Sequence, residues 1–229
     1  MRFNRVDEAL EALRKGEPVL IFDSKGREEE VDMVFYAGMI NYEKIYRLRV
    51  EAGGLICYAT LHELAKRIGL DFMSEILSYH KVYKQLASKR LGYGDPPAFS
   101  LWVNYIGVKT GINDNDRALT IRKLHEVFSH VWKDEVEDAR RMFYNEFMAP
   151  GHVPILLSRG LERRRGHTEL STTLALMAEL TPSIVLAEML DKGESLSLEK
   201  AFSYAREKDI VIIDGKSIIE YWRKSGSNV

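Results

Sequence analysis

Apolar positions along the chain fall into blocks that alternate between a helical and a strand period. Val6, Ala9, Leu10 and Leu13 line one stripe of a helix, and Gly16, Glu17 and Pro18 stop it. The continuous run Val19 to Phe22 suits a buried strand, and a second run, Met33 to Tyr36, resumes after the polar break Asp23 to Glu30. Asn41 is placed to cap a helix carrying Ile45 and Leu48, closed by Gly53 and Gly54 before the strand-like Leu55 to Ala59. Leu61 to Ile68 reads as a helix ended by Gly69. From Ser74 to Pro97 the chain is polar and aromatic without a period, which predicts an excursion outside the core.

Phe99 to Ile106 is the next strand, followed by the turn-rich Gly107 to Asp116 and by helices from Arg117 to His130 and from Glu135 to Phe147. Pro150 and Gly151 predict a break before the strand Val153 to Leu157. Thr168 is expected to cap a helix running to about Leu180, and Ser197 another through Arg206. Ser183 to Leu186 and Ile210 to Ile213 are strands, and Ser217 to Arg223 closes the chain as a helix. Helices and strands interleave without a repeat or a Pro/Gly/Ser-rich linker. The expectation is one domain over residues 1–229, of three layers, with the pairing direction in its sheet left open.

Composition narrows the function. At 229 residues, 45% hydrophobic and 29% charged, the chain has enough apolar surface for a sizeable core and is not a disordered or low-complexity scaffold. A net charge of −1 supplies no field that draws the whole chain onto nucleic acid or an anionic membrane, so any anion site must be local. Cys57 is the single cysteine and has no internal disulfide partner, and no stretch approaches the ~20 apolar residues of a membrane span. The charged N-terminal stretch lacks the apolar core of a secretory signal, which sets a cytoplasmic expectation.

Two segments carry candidate chemistry. Between the first two strands, Glu28, Glu30 and Asp32 alternate, so an extended chain turns three carboxylates the same way, with Arg27 beside them. Crowded carboxylates raise one another's pKa unless a cation is present, an arrangement that serves metal ligands and general bases, and equally a solvated hairpin tip. Arg163, Arg164, Arg165, Gly166, His167, Thr168 and Glu169 precede a helix, whose N-terminus and flanking arginines favour a phosphate. His167 is placed to ligate a metal or move a proton, or only to satisfy a local hydrogen bond. Thr110, Gly111, Asn113, Asp114, Asp116 and Arg117 offer phosphate donors or a plain helix cap. His152 stands at the start of a strand, Glu188 at the end of another, and Cys57 reads more readily as a packed thiol than as a nucleophile. Walker, Gly-x-Gly-x-x-Gly, nucleophile-elbow and Cys-x-x-Cys patterns are absent.

Taken in order, Asp23 with Arg27, Glu28, Glu30 and Asp32, then Gly53 to Cys57, Thr110, Gly111, Asp116, Arg117 and Thr120, Pro150 to Val153, Arg164 with Gly166 to Glu169, and Glu188 resemble the 3,4-dihydroxy-2-butanone 4-phosphate synthase family. The resemblance implies an α+β fold, a three-layer α/β/α sandwich with a mixed central sheet. It further implies a homodimer with the active site near the subunit interface, a need for Mg²⁺ or Mn²⁺, and ribulose 5-phosphate as the substrate that loses one carbon as formate. Carried over residue by residue, Glu28 and His167 are expected to bind the metal. Arg27, Glu28, Asp32, Thr110, Arg164, Arg165, Gly166, His167 and Thr168 are expected to bind substrate, and Glu30, Asp32, Cys57, His152 and Glu188 to line or serve the catalytic centre. Glu29, Val31 and Arg165 depart from the family's smaller residues, and the stretch Ser78 to Pro97 matches poorly, so no site residue is drawn from it. Competing readings are another metal-dependent sugar-phosphate enzyme, an isomerase or aldolase, and an RNA- or nucleotide-binding patch on Arg159 to Arg165.

Overall fold

The computed structural model describes residues 2–89, 92 and 94–225, so part of the stretch Ser78 to Pro97 lies outside the described residues. Among the described residues nine strands form in chain order: β1 Val19–Phe22, β2 Val31–Tyr36, β3 Cys57–Leu61, β4 Phe99–Tyr105, β5 Phe147–Ser158, β6 Ser183–Glu188, β7 Leu190–Asp191, β8 Glu194–Ser195 and β9 Val211–Asp214. Ten α-helices among the described residues accompany them: α1 Val6–Arg14, α2 Tyr42–Arg47, α3 His62–Arg67, α4 Met73–Ser78, α5 Lys84–Ala87, α6 Asp114–Trp132, α7 Val136–Glu146, α8 His167–Met177, α9 Leu198–Lys208 and α10 Gly215–Lys224. Seven strands make one sheet in the order β4-β5-β3-β6-β2-β1-β9, and β7 and β8 form a small separate hairpin. The sheet is mixed: β1 with β9 and β3 with β5 are parallel, and the other pairs antiparallel.

Side chains alternate across the sheet, and each face has its own core. Met33, Phe35, Tyr58, Val185 and Ile155 face one layer, filled from α2, α3, α6, α7 and α9 by Ile45, Leu64, Ile121, Phe143 and Phe202. Val34, Cys57, Ala59, Ile184 and Leu186 face the other, filled from α1, α8 and α10 by Leu13, Leu174 and Ile218. Most strands are buried on both faces, which is why they read as continuous apolar runs. The expected α/β/α layering and mixed sheet are both present.

Three local expectations change. Strand β5 does not begin after Pro150 and Gly151 but runs through them, because its partners on β4 jump from Val103↔Val153 to Asn104↔Met148. Pro150 therefore sits in a bulge where no ladder donor is needed. A Cβ on Gly151 would lie 2.0 Å from the Val103 carbonyl carbon, so only glycine fits. Thr168 is not a cap, since α8 starts at His167 and Gly166 takes the cap position, its N–H donating to Glu169 Oε2 at 3.2 Å. The excursion holds two short helices, α4 and α5, neither with a buried residue. Asn41 and Ser197 cap α2 and α9 as the sequence indicates, whereas α6 begins at Asp114 under an Asn113 cap, three residues before the expected Arg117.

Candidate active site

Sheet register gathers the candidate residues before any side chain is considered. Asp32 pairs with Glu188 across β2 and β6, and Ile21 with Asp32 across β1 and β2, so Asp23, Asp32 and Glu188 lie at one end of the sheet. Tyr58 pairs with Ile155, which extrapolates to Leu55 beside His152 at that same end. By alternation, Asp23, Asp32, Cys57, Glu188 and His152 all share the face that α8 covers, because Ile21, Val34, Leu186 and Leu156 do. Helix α8 points its N-terminus at this end and brings His167.

The loop between β1 and β2 is organised by Asp23, whose side chain is fully buried. Asp23 accepts the backbone N–H of Glu28 at 3.1 Å and of Glu30 at 3.2 Å, and Nη1 of Arg27 at 3.0 Å. Glu29, at φ 58, takes a left-handed conformation that folds the loop back, and its carboxylate accepts the N–H of Gly26. The loop is therefore a turn and not an extended strand, and the expected three-carboxylate array does not form. Glu28 and Asp32 converge, whereas the Glu30 carboxylate accepts from Ser195 on β8 at 2.5 Å.

Glu28 and Asp32 converge on His167. Nδ1 of His167 lies 3.4 Å from Glu28 Oε2 and 3.5 Å from Asp32 Oδ1. Its other nitrogen, Nε2, is 3.1 Å from the Ile21 carbonyl oxygen and 3.2 Å from that of Glu30. Carbonyl oxygens only accept, so Nε2 carries a hydrogen and Nδ1 is left to bind a proton or a cation. Burial drives the Asp32 carboxyl up to about 8, opposed by His167 and reinforced by Glu188, Glu28 and Glu30. Burial alone lowers His167, but Asp32, Glu28 and Asp23 outweigh it and lift the imidazole to about 9. The pair titrates as a unit, and without another cation it retains a proton at neutral pH.

Asp32 Oδ1 is buried with no hydrogen-bond partner, an orphaned acceptor 3.5 Å from Nδ1 of His167. Such an atom calls for a cation. The donor atoms of Glu28 and His167 are separated by about the ~3 Å edge of an octahedron with ~2.1 Å bonds, so the residues present fit a divalent ion. Among the described residues no set of three His, Cys, Asp or Glu side chains forms a ready cage, which leaves coordination to water and substrate oxygens.

Two guanidiniums border this cluster. Arg27 is held by Asp23, by Glu28 Oε2 at 2.8 Å and by Asp95 Oδ2 at 3.0 Å. Burial works against its charge, and these carboxylates outweigh burial and raise its pKa. Arg164 donates Nη1 to Glu169 at 2.6 Å and faces Glu28 and Asp95 at 3.8 Å each. Gly166 passes beneath both, and a Cβ there would lie 2.3 Å from Arg164 Nη1 and 2.7 Å from Arg27 Nη2. Asp95 and Glu169 take part although the sequence singled out neither as a site residue. Glu169 carried a readable signal, a carboxylate three residues after the cap. Asp95 carried none, because it ends a stretch without pattern.

The remaining candidates divide. Glu188 Oε2 accepts the N–H of Leu55 at 2.8 Å, and Gly54 is glycine because a Cβ would sit 2.4 Å from that oxygen. Gly54 thus lets Glu188 approach the backbone there. Cys57 is buried, and burial with Glu188 and Asp32 pushes its thiol well up, so it is a wall and not a nucleophile. Thr168 is the buried second residue of α8. Arg165 is exposed. Thr110 donates its hydroxyl to Asp116 Oδ2, which also accepts the N–H groups of Thr110 and Gly111, so capping accounts for that loop. His152 pairs with Asn104, its N–H donating to Asn104 Oδ1 at 2.8 Å. Three strand spacings, roughly 14 Å, separate it from Asp32 within one chain. Of the four arginines between 159 and 165, Arg159 stacks on Phe72 and Arg164 is buried, so this run does not present its four cations to solvent together. No helix among the described residues is long and apolar enough to cross a membrane.

The sequence model of one family, 3,4-dihydroxy-2-butanone 4-phosphate synthase, matches residues 7–221. The protein of that name from Archaeoglobus fulgidus is 40% identical over 227 residues, covering 95% of this chain and 94% of its own. A crystal structure of the Candida albicans synthase superposes with a TM-score of 0.72 at 26% identity, over 96% of this chain and 98% of that one. Another synthase structure, described as a complex with two magnesium ions, shares the fold with a TM-score of 0.75 at 23% identity, over 99% and 100%.

Proposed function

As the chain belongs to the 3,4-dihydroxy-2-butanone 4-phosphate synthase family, we propose that it converts D-ribulose 5-phosphate to L-3,4-dihydroxy-2-butanone 4-phosphate and formate in riboflavin biosynthesis, with Mg²⁺ or Mn²⁺ as cofactor. The observation that carries this reading is the pairing of Glu28 with Nδ1 of His167 beside the orphaned Asp32 oxygen. Glu28 and His167 would hold the cation, and a structure of the same fold described with two magnesium ions supports the use of a divalent cation. When bound, the cation supplies positive charge at the carbonyl oxygen that turns negative on deprotonation.

The chain's own residues supply the rest. Asp32 has a carboxyl poised near neutrality and an unpartnered oxygen, both suited to taking or returning a proton at the sugar. Arg27 and Glu30 would contact the sugar hydroxyls, and Glu188 and His152 serve as further acid/base groups. Arg164, Gly166 and Thr168 at the start of α8 would bind the phosphate, with Arg165 and Thr110 at its margin. One catalytic domain spans residues 1–229. The chain works as a homodimer with its sites near the interface, supported by the exposed Trp102, Ile106, Ile112 and Met148 around β4 and β5. The decisive experiment assays formate from ribulose 5-phosphate with Mg²⁺, with and without chelator. Formate that depends on the cation supports the reading. Isomerised or cleaved sugar phosphate without formate overturns it.

A further inference from the structure

Asp95 touches both arginines of the site from a stretch that gave no sequence signal. Its Oδ2 accepts from Arg27 Nε at 3.2 Å and Nη2 at 3.0 Å, and stands 3.8 Å from Nε of Arg164. That Arg164 nitrogen is buried and has no hydrogen-bond partner. One carboxylate oxygen thus sits between two guanidiniums and satisfies only one of them. A phosphate monoester carries close to two charges and three strong acceptor oxygens, enough to serve both.

Exposure separates the partners. The side chains of Arg27 and Arg164 are 12% and 7% exposed and are anchored by the buried Asp23 and Glu169, whereas Asp95 is 31% exposed and returns to water at little cost. We propose that Asp95 occupies the phosphate seat between Arg27 and Arg164 and so determines specificity: a phosphorylated sugar displaces it, and a neutral sugar does not. A polyol brings no charge to exchange, so moving Asp95 aside for it costs Arg27 one of its carboxylate partners and leaves Arg164 Nε unpartnered. Asp95 also repels any anion that approaches, so the resident carboxylate weakens phosphate binding while it screens out uncharged ligands. The inference rests on reading the chain as a sugar-phosphate enzyme and adds how that site chooses its ligand.

The test titrates the full-length chain with inorganic phosphate at fixed ionic strength, by calorimetry, for the native protein, Asp95→Asn, Asp95→Ala and Asp95→Glu. Removing the charge is expected to tighten phosphate binding about tenfold in the Asn and Ala variants, and Asp95→Glu to bind as the native chain does. Unchanged or weaker phosphate binding in both neutral variants, with native circular dichroism, overturns the proposal, since a residue that only positions the arginines would weaken binding when lost. Should Asp95→Ala fail to fold, the near-isosteric Asn variant decides alone. Formate assays on the native chain run separately. Their failure removes the reaction, while the phosphate titration still judges Asp95.

Discussion

Glu28 Oε2 stands 3.4 Å from Nδ1 of His167, joining a loop after the first strand to the start of the eighth helix. The hydrogen on Nε2, directed at the carbonyls of Ile21 and Glu30, fixes the ring so that Nδ1 faces the carboxylates. A metal-ligating histidine needs that kind of orientation. Glu28→Ala and His167→Ala are therefore expected to lower Mg²⁺-dependent formate release by more than about a hundredfold while leaving the circular dichroism spectrum native. Mg²⁺ should also raise the melting temperature of the native chain and leave that of either variant unmoved, because a ligand stabilises only the state that binds it. Normal turnover by either variant would refute the assignment.

Asp23 supports Glu28 from behind. Its carboxylate takes two backbone N–H groups and one guanidinium, and its side chain is fully buried. Asp23→Ala leaves those donors unmatched and an Arg27 cation short of one partner, at a cost of about 2–4 kcal/mol in urea unfolding. KM for ribulose 5-phosphate should rise as the loop loses its shape. A variant as stable as the native chain, with native KM, would show that the loop does not depend on this carboxylate.

The strands and most helices were readable because double-faced burial writes continuous apolar runs and because Asn41, Asn113 and Ser197 are ordinary caps. The site was readable in its residues but not in its geometry. Alternation placed Glu30 with Glu28 and Asp32, yet Asp23 and the left-handed Glu29 fold the loop into a turn and send Glu30 to Ser195. Thr168 resembles a cap, but Glu169 reaches back to Gly166 and moves the helix start two residues earlier than a Thr168 cap would place it. Pro150 and Gly151 resemble a break, but a register shift against β4 carries β5 through them. Asp95 was illegible because its role is set by where α8 and the β1–β2 loop meet it, not by any pattern in its own segment.

Gly166 is required by contact and not by backbone torsion, since its φ of −87 suits any residue. A methyl group there would press on Arg164 Nη1 and Arg27 Nη2. Gly166→Ala should therefore cost about 1–3 kcal/mol from overpacking and raise KM more than it lowers kcal-scale stability would suggest, because both guanidiniums shift together. Steady-state kinetics beside urea melts separate the two effects. Unaltered KM would mean that the arginines do not act where they are seen.

Cys57 gives a pH-dependent outcome that does not involve turnover. Burial first, then the charges of Glu188 and Asp32, holds its thiol well above the ordinary value of 9.0. As pH rises through that value the unfolded chain releases the thiol proton while the folded chain keeps it. The stabilising contribution is thus complete below about pH 9 and declines above it. In the native chain Cys57 should resist alkylation by iodoacetamide at pH 8, and it should react fully in urea, where the thiol is exposed and partly ionised. Cys57→Ser should lose stability without shifting the pH dependence of formate release between pH 6 and 8. Rapid labelling of the folded protein at pH 8 would place the thiol in an open, polarised setting and return it to the set of reactive groups.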